Sequence, residues 1–476
     1  MSEASKSGFS GATGLVQPLF RSDSGNLQHQ LRLAIQAHQA GRLDEAIENY
    51  LQLVAASPFD ADLHNNLGTA LRGAGRIDTA VAHHRRALTL RPDSPHLHGN
   101  LGNALRDAER HGEALRHLQR AVSLDPESPE ALFNLGLCLR DLGQLAEAVG
   151  VFQKAQSLSR APQRIAMELG VTRLMAGDYA QGFADYEARR ELPEMPPPEF
   201  RQPAWQGQDP SGKRLLLYPE HGLVDALMFV RYARLLHAHG ARLYVLCQTA
   251  LRDLFRQCDY LAGVVGEGEP LPGFDWHCPF ASLPHYLGVA AAAGPASAPY
   301  LQAPARSRIQ LARYDDNSLS VGLYWSAGSA RPAERRRSVP FAEMLALGGD
   351  SRLLLFALQG GVRQQDIVQA QAQGLVHDVG GQIFDFAEAA AALSQLDLLL
   401  TVDAPLAHLA GAMGMPTWLL LPTAADWRWG DDGQRTLWYP SLRLYRQTIP
   451  GDWSGPLERV RQDLDSLADR ARRHHR

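Results

Sequence analysis

Cysteine is scarce: Cys138, Cys247, Cys258 and Cys278 are the four in 476 residues, and no two have paired spacing. That excludes a disulfide framework or a cysteine-based zinc module and suits a reducing compartment. No run reaches the roughly 18 apolar residues of a membrane-spanning helix. Met1 to Gly14 is rich in Ser and Gly without an apolar centre, so it does not read as a secretory signal. Excess charge is missing as well. Lys and Arg number 47 against 51 Asp and Glu, a net charge of −4. A nucleic-acid binder would favour a strongly basic face. The expectation is a cytoplasmic protein with neither nucleic acid nor membrane as partner. With 45% apolar and 21% charged residues, the chain is an ordinary globular one, long enough for two to four domains.

What is abundant is repetition. Gly68, Gly102 and Gly136 are 34 residues apart, and Gly170 continues the series. Ala80, Ala114 and Ala148 keep the same period, as do Ala87, Ala121 and Ala155, and Pro58, Pro92 and Pro126. Small residues fit where two helices cross closely, and the prolines end the second helix of each unit. Several positions agreeing at one 34-residue period is the tetratricopeptide pattern. A degenerate first repeat starts near Leu27, and a degenerate fifth spans about 163–190. Such repeats stack into a superhelix with a concave groove. Asn66, Asn100 and Asn134 share one repeat position. Their amides, donor and acceptor at once, suit an extended peptide backbone, or else serve hydrogen bonds between repeats. Arg72, Arg106 and Arg140 recur near the first helix's end, where they are expected to cover the turn and answer the helix dipole. Stacks of this kind often self-associate.

Five prolines between 191 and 204 mark a stiff linker. Beyond it, strand and helix patterns alternate. Strands are expected at Arg214–Tyr218, Ala241–Cys247 and Leu261–Val265, with helices at Leu223–His239 and Leu251–Gln257. The alternation restarts with strands at Leu319–Trp325, Arg352–Leu358, Leu396–Val402 and Thr417–Leu421, and helices at Phe341–Leu347, Phe386–Gln395 and Pro405–Met413. This predicts two parallel-sheet, nucleotide-binding-like halves. Their ligands would lie beyond the carboxyl ends of the strands. The domains expected are a disordered start (1–26), repeats (27–190), linker (191–204), a first α/β half (205–315), a second half carrying the donor site (316–452), and a C-terminal helix with a basic tail (453–476).

Asp403-Ala404-Pro405-Leu406-Ala407-His408, running on to Gly411 and Gly414, resembles the donor-site segment of heptosyltransferase-type glycosyltransferases. Asp426-Trp427-Arg428-Trp429, Trp438-Tyr439-Pro440-Ser441, His277-Cys278-Pro279 and Glu220 to Asp225 resemble motifs of bacterial fusions of tetratricopeptide repeats with glycosyltransferases. The resemblance covers about 165–465 and extends to the upstream repeats. The architecture is also similar to that of protein O-GlcNAc transferases. It implies a GT-B fold of two Rossmann-like halves, inversion at the anomeric carbon, and no metal. The adjacent pairs Asp315-Asp316 and Asp431-Asp432 lack the strand context of a metal site.

Sugar transfer needs a base for the acceptor proton, stabilisation of the leaving phosphate, and a held donor. Asp225, after the first strand of its half, is the candidate base, or else a helix-start residue favoured by the dipole. Glu220 is the alternative base. Phosphate and donor candidates are Trp325, Gly328, Arg335, Gln359, Asp403, His408, Asp426 and Arg428, with Arg331, Arg336 and Arg337 in the same basic loop. Core packing accounts for one of Trp427 and Trp429 as well as binding does. Departures from the family pattern are Ala404 and Ala389 at hydroxyl positions and Val224 at a small-residue position. Losing one bond to a charged group costs about 1.5–3 kcal/mol, which weakens or changes the donor. The function expected is transfer of a sugar from a nucleotide sugar to Ser or Thr of a protein acceptor, flagellin or another surface protein before export. The competing readings are a non-catalytic scaffold and a lipopolysaccharide-type transferase.

Overall fold

The computed structural model describes residues 25–220, 222–288, 298–311, 318–328, 332–348, 350–369, 372, 374–430 and 433–474. Arg331, His221, both adjacent aspartate pairs, the start through Ser24 and the last two tail residues lie outside them. The chain forms two compact units. One holds the residues up to Ala176 together with Asp185–Glu194, and the other holds Gly177–Ala184 and the residues from Met195 onward.

The first unit is a stack of antiparallel helix pairs: α1 (Gly25–Gln39) with α2 (Leu43–Ala56), α3 (Ala61–Gly73) with α4 (Ile77–Leu90), α5 (Pro95–Asp107) with α6 (His111–Leu124), and α7 (Pro129–Asp141) with α8 (Leu145–Leu158). A ninth helix, α9 (Gln163–Met175), continues the stack. Each later pair starts on a side-chain cap, which satisfies amides that helix ends leave open. Asp60 accepts from the amides of Asp62 and Leu63, Ser94 from Leu97, and Ser128 from Ala131. Pro95 and Pro129 follow their caps at the first helical position. The periodic glycines mark close crossings. A Cβ on Gly68, Gly102 or Gly136 would stand 2.8, 2.6 or 2.8 Å from His84, Leu118 or Phe152.

The periodic arginines correct an expectation. They do not merely cover turns; each reaches the next repeat. Arg72 Nε lies 2.6 Å from Asp107, Arg106 Nε 2.5 Å from Asp141, and Arg140 Nη1 2.5 Å from Glu168. The carboxylate lies near the end of the following repeat's first helix, or within α9, close enough for the arginine to cross the repeat boundary.

The second unit carries two all-parallel sheets. Strands β1 (Arg214–Tyr218), β2 (Arg242–Cys247), β3 (Gly263–Gly266) and β4 (Trp276–Pro279) are ordered β3-β2-β1-β4. Strands β5 (Leu319–Tyr324), β6 (Leu353–Ala357), β7 (His377–Asp378), β8 (Leu398–Val402), β9 (Thr417–Leu421) and β10 (Leu442–Arg446) are ordered β10-β9-β8-β5-β6-β7. Parallel strands are covered on both faces and read as unbroken apolar runs. All five residues of β8 and of β9 are buried. The sequence pattern did not mark β4, β7 or β10. The expected helix 223–239 is two helices, Leu223–Phe229 and Arg231–Ala238, meeting at Val230. Most of the short helix Tyr179–Tyr186, through Ala184, belongs to the second unit.

Candidate functional site

In the second unit, residues that follow strands of different sheets meet. Asp225 is the third residue of the helix Leu223–Phe229, which follows β1, and it is 7% exposed. Arg428 lies after β9 in the turn Trp427–Trp429. Its Nη2 is 2.5 Å from Asp225 Oδ1, and its Nη1 is 2.8 Å from Asp426 Oδ1. Asp426 also caps the turn by accepting from the Arg428 amide at 3.1 Å. Burial opposes the charge on Asp426, but Arg428 outweighs it and holds the carboxyl below its ordinary range. The guanidinium lies over the Trp427 ring, 4.4 Å from its centre. Asp225 Oδ2 makes no hydrogen bond among the described residues.

His408 is the fourth residue of the helix Pro405–Ala412, after β8, and it is 1% exposed. Its Nδ1 is 2.9 Å from the Tyr439 hydroxyl, and its ring lies 4.7 Å from that of Trp429. Burial, then the Arg428 charge, push its pKa well below 6.5, so the imidazole is neutral. Asp403, at the end of β8, accepts from Arg337 Nη1 at 3.1 Å through both Oδ2 and its carbonyl. Ala404 at the helix start offers no side-chain cap.

The remaining candidates fall elsewhere. Trp325 is corrected: it is 1% exposed within the core beneath β5, its ring 4.3 Å from Phe341, and its indole N–H goes to Asp366 at 2.8 Å. Gln359 braces the following loop, accepting from the Ser326 amide at 3.0 Å. Gly328 has φ +125°, and a Cβ there would meet Glu334 at 2.6 Å. Arg335 is exposed on the helix Pro332–Arg337. Trp427 and Trp429 are both buried, Trp427 edge-on to Phe183 and Trp438. Sequence reasoning missed Arg231 and Tyr300. Arg231 is fully buried and donates to the Met228 and Trp438 carbonyls and the Tyr300 hydroxyl at 2.8–3.0 Å. The signal was a lone arginine in an otherwise apolar stretch, Ala226 to Ala233.

Models described as tetratricopeptide repeats match residues 37–73, 59–127 and 100–165. The first unit is a tetratricopeptide-repeat array. Protein FlbA of Caulobacter vibrioides is 25% identical over 335 residues, which is 62% of this chain and 54% of FlbA. The chain thus spans about half the length of that curated relative. Among solved structures, a MamA fragment (residues 41 to the end) from Desulfovibrio magneticus RS-1 is 20% identical, with a TM-score of 0.33, covering 36% of this chain and 99% of its own. YrrB, described as a tetratricopeptide protein with an unusual peptide-binding site, is 22% identical at TM-score 0.29, covering 35% and 85%.

Within the tetratricopeptide array, Asn66 and Asn134 are buried. Asn100 is half-buried, and its Nδ2 donates to Asn65 Oδ1 at 2.8 Å. An open ladder of three amides is therefore not the arrangement present. Its middle rung is bonded to the preceding repeat. Asn134 Oδ1 is buried with no hydrogen-bond partner among the described residues. Tetratricopeptide repeats suggest a peptide or protein partner.

Proposed function

We propose that the chain is an inverting, metal-independent glycosyltransferase that moves a sugar from a nucleotide sugar to a Ser or Thr hydroxyl of a protein held by the repeats. The observation that carries this reading is the convergence of Asp225, from the loop after β1 of one parallel sheet, with Arg428 and Asp426, after β9 of the other. Loops beyond the carboxyl ends of parallel strands are where such folds bind ligands. Two parallel sheets whose post-strand loops meet are what a GT-B arrangement requires. Asp225 Oδ2 takes the acceptor hydroxyl proton as the oxygen bonds to the anomeric carbon. The bond from that carbon to the nucleotide phosphate breaks on the opposite face, which inverts the centre. His408 hydrogen-bonds the departing phosphate. Flagellin is the acceptor to try first.

Transfer and donor hydrolysis across a panel of nucleotide sugars test the reading, comparing wild type with Asp225→Ala and His408→Ala. A general base contributes on the order of 10²–10⁴ in rate, so Asp225→Ala is expected to lose at least a hundredfold. Unchanged turnover in both variants would sink the site assignment. A second reading has its own support. Arg428 is bonded to two carboxylates and Ala404 offers no hydroxyl, as in a scaffold with a degenerate transferase unit. Calorimetry showing tight protein binding and no nucleotide binding would favour it.

A further inference from the structure

The Tyr439 hydroxyl is buried beyond the reach of water, since the residue is fully buried. A buried hydroxyl must spend its proton on an acceptor or forfeit a hydrogen bond. Among the described residues, it is hydrogen-bonded to His408 Nδ1 at 2.9 Å and also lies within hydrogen-bonding reach of the Tyr300 hydroxyl. The neighbouring Tyr300 hydroxyl has its own bonds, donating to the Leu227 carbonyl at 2.9 Å and accepting from Arg231 at 3.0 Å. Tyr300 already takes a proton from Arg231 and spends its own on Leu227, and an imidazole nitrogen is a stronger acceptor than a phenol oxygen, so the Tyr439 proton is assigned to the bond with His408, with Nδ1 as the acceptor. A neutral imidazole that accepts at Nδ1 carries its hydrogen on Nε2.

The placement of Tyr439 is itself built in. Gly411, one turn further along the helix that carries His408, packs directly on the tyrosine ring. A Cβ at Gly411 would come within 2.5 Å of Tyr439 Cδ1 and Cγ. Trp429 lies against the imidazole on another side, 4.7 Å between ring centres. The imidazole is thus fixed in orientation by Trp429 and in tautomer by Tyr439. Its Nε2 makes no hydrogen bond to a described residue.

We propose that Tyr439 is a positioning residue: its hydroxyl donates to His408 Nδ1 and so presents Nε2–H as a neutral donor to a ligand oxygen. The donor's role toward a leaving phosphate rests on the transferase reading, but the tautomer does not. A neutral donor stabilises developing charge on oxygen without having a second proton to lose. Gly411 serves the same end by leaving room for the tyrosine ring.

Two measurements on the full-length chain test this, and they fail independently. In the first, the chain is labelled with ¹⁵N-histidine, and the His408 signal is identified by its loss in His408→Gln. The expected spectrum has the proton on Nε2 in wild type, with part or all of it moved to Nδ1 in Tyr439→Phe and in Gly411→Ala. A tyrosine that served only packing would leave the Tyr439→Phe tautomer unchanged, and that result, or a wild-type proton on Nδ1, overturns the proposal. In the second, donor turnover is compared in His408→Gln, whose amide nitrogen falls near the Nε2 position, and His408→Asn, whose amide falls near Nδ1. Gln is expected to retain activity within a few-fold, and Asn to lose about tenfold to a hundredfold, the size of one lost bond to a charged group. Equal loss, or the reverse order, overturns it. If no nucleotide sugar is turned over by wild type, the transferase reading falls while the spectrum still decides the tautomer.

Discussion

Arg428 and Asp225, 203 positions apart in the chain, are joined by a 2.5 Å contact between Nη2 and Oδ1, with both side chains at most 10% exposed. Asp426 completes the cluster, so one buried cation serves one buried and one partly buried carboxylate. Removing one partner of such a group leaves uncompensated charge in a poorly solvated place.

Arg428→Met is therefore expected to cost about 3–5 kcal/mol, the range for breaking a buried pair. Asp225→Asn keeps Arg428 paired with Asp426 and is expected to cost about 1–2 kcal/mol. Urea unfolding of both variants checks the order. In the Asp225→Asn, Asp426→Asn background, Arg428→Met should cost far less, because no carboxylate is then left stranded.

The inter-repeat ion pairs should differ in strength according to their burial. Arg140 and Glu168 have side chains 8% and 2% exposed, whereas Arg72 and Asp107 are at 20% and 36%. Glu168→Gln is expected to lose about 3 kcal/mol or more. Asp107→Asn is expected to lose less than about 1 kcal/mol and to grow less costly as salt is added. Equal losses in thermal or urea unfolding would contradict this ordering.

His84 makes stability depend on pH. Burial first, then the charge of Arg72 and the neighbouring His96 and His83, lower its pKa to about 3 in the fold. In the unfolded chain it titrates near 6.5. The unfolded state thus binds a proton that the folded state refuses, and stability falls as pH drops from about 6.5 towards 3. Both ring nitrogens are buried without a hydrogen-bond partner among the described residues. Leu118 and Phe152 hold the same place in the next two repeats. His84→Leu is expected to raise stability by about 1 kcal/mol at neutral pH, by removing unpaired polar atoms. It should also flatten the acid limb, read by unfolding midpoints between about pH 4 and 7.

Two glycines in one repeat should respond in opposite ways. Gly136→Ala drives a methyl to within 2.8 Å of Phe152 and is expected to destabilise by about 1–3 kcal/mol. Gly150, inside α8, is exposed and has open space around it. Gly150→Ala is expected to stabilise by about 0.5–1 kcal/mol through helix propensity. Circular-dichroism melts of the two variants separate a packing glycine from an incidental one.

The repeats were legible because a 34-residue period writes the same contact several times. Gly68, Gly102 and Gly136 announced close helix crossings before any side chain was placed. The buried strands were legible where apolar runs were long, as in β8 and β9. β4 was not, because Trp276 to Pro279 is short and polar in part, and its pairing with β1 is a long-range event. Trp325 shows the opposite limit. A position just after a strand suggested a ligand contact, yet the indole packs inward and spends its N–H on Asp366. Nothing local in the sequence distinguishes a tryptophan facing a cleft from one facing the core.

The sequence by itself determined the helix pairs, their spacing and the parallel-sheet character of the second unit, because periodicity and apolar runs are local or repeating properties. It also pointed to Asp225, His408, Asp426 and Arg428 as separate candidates. Only the tertiary structure decided that Arg428 is held between Asp225 and Asp426, that Tyr439 rather than water addresses His408 Nδ1, and that the periodic arginines link neighbouring repeats. Those relationships rest on distances between residues far apart in the chain. Burial then sets their energies, since a charge or a hydroxyl removed from water must find its partner within the protein.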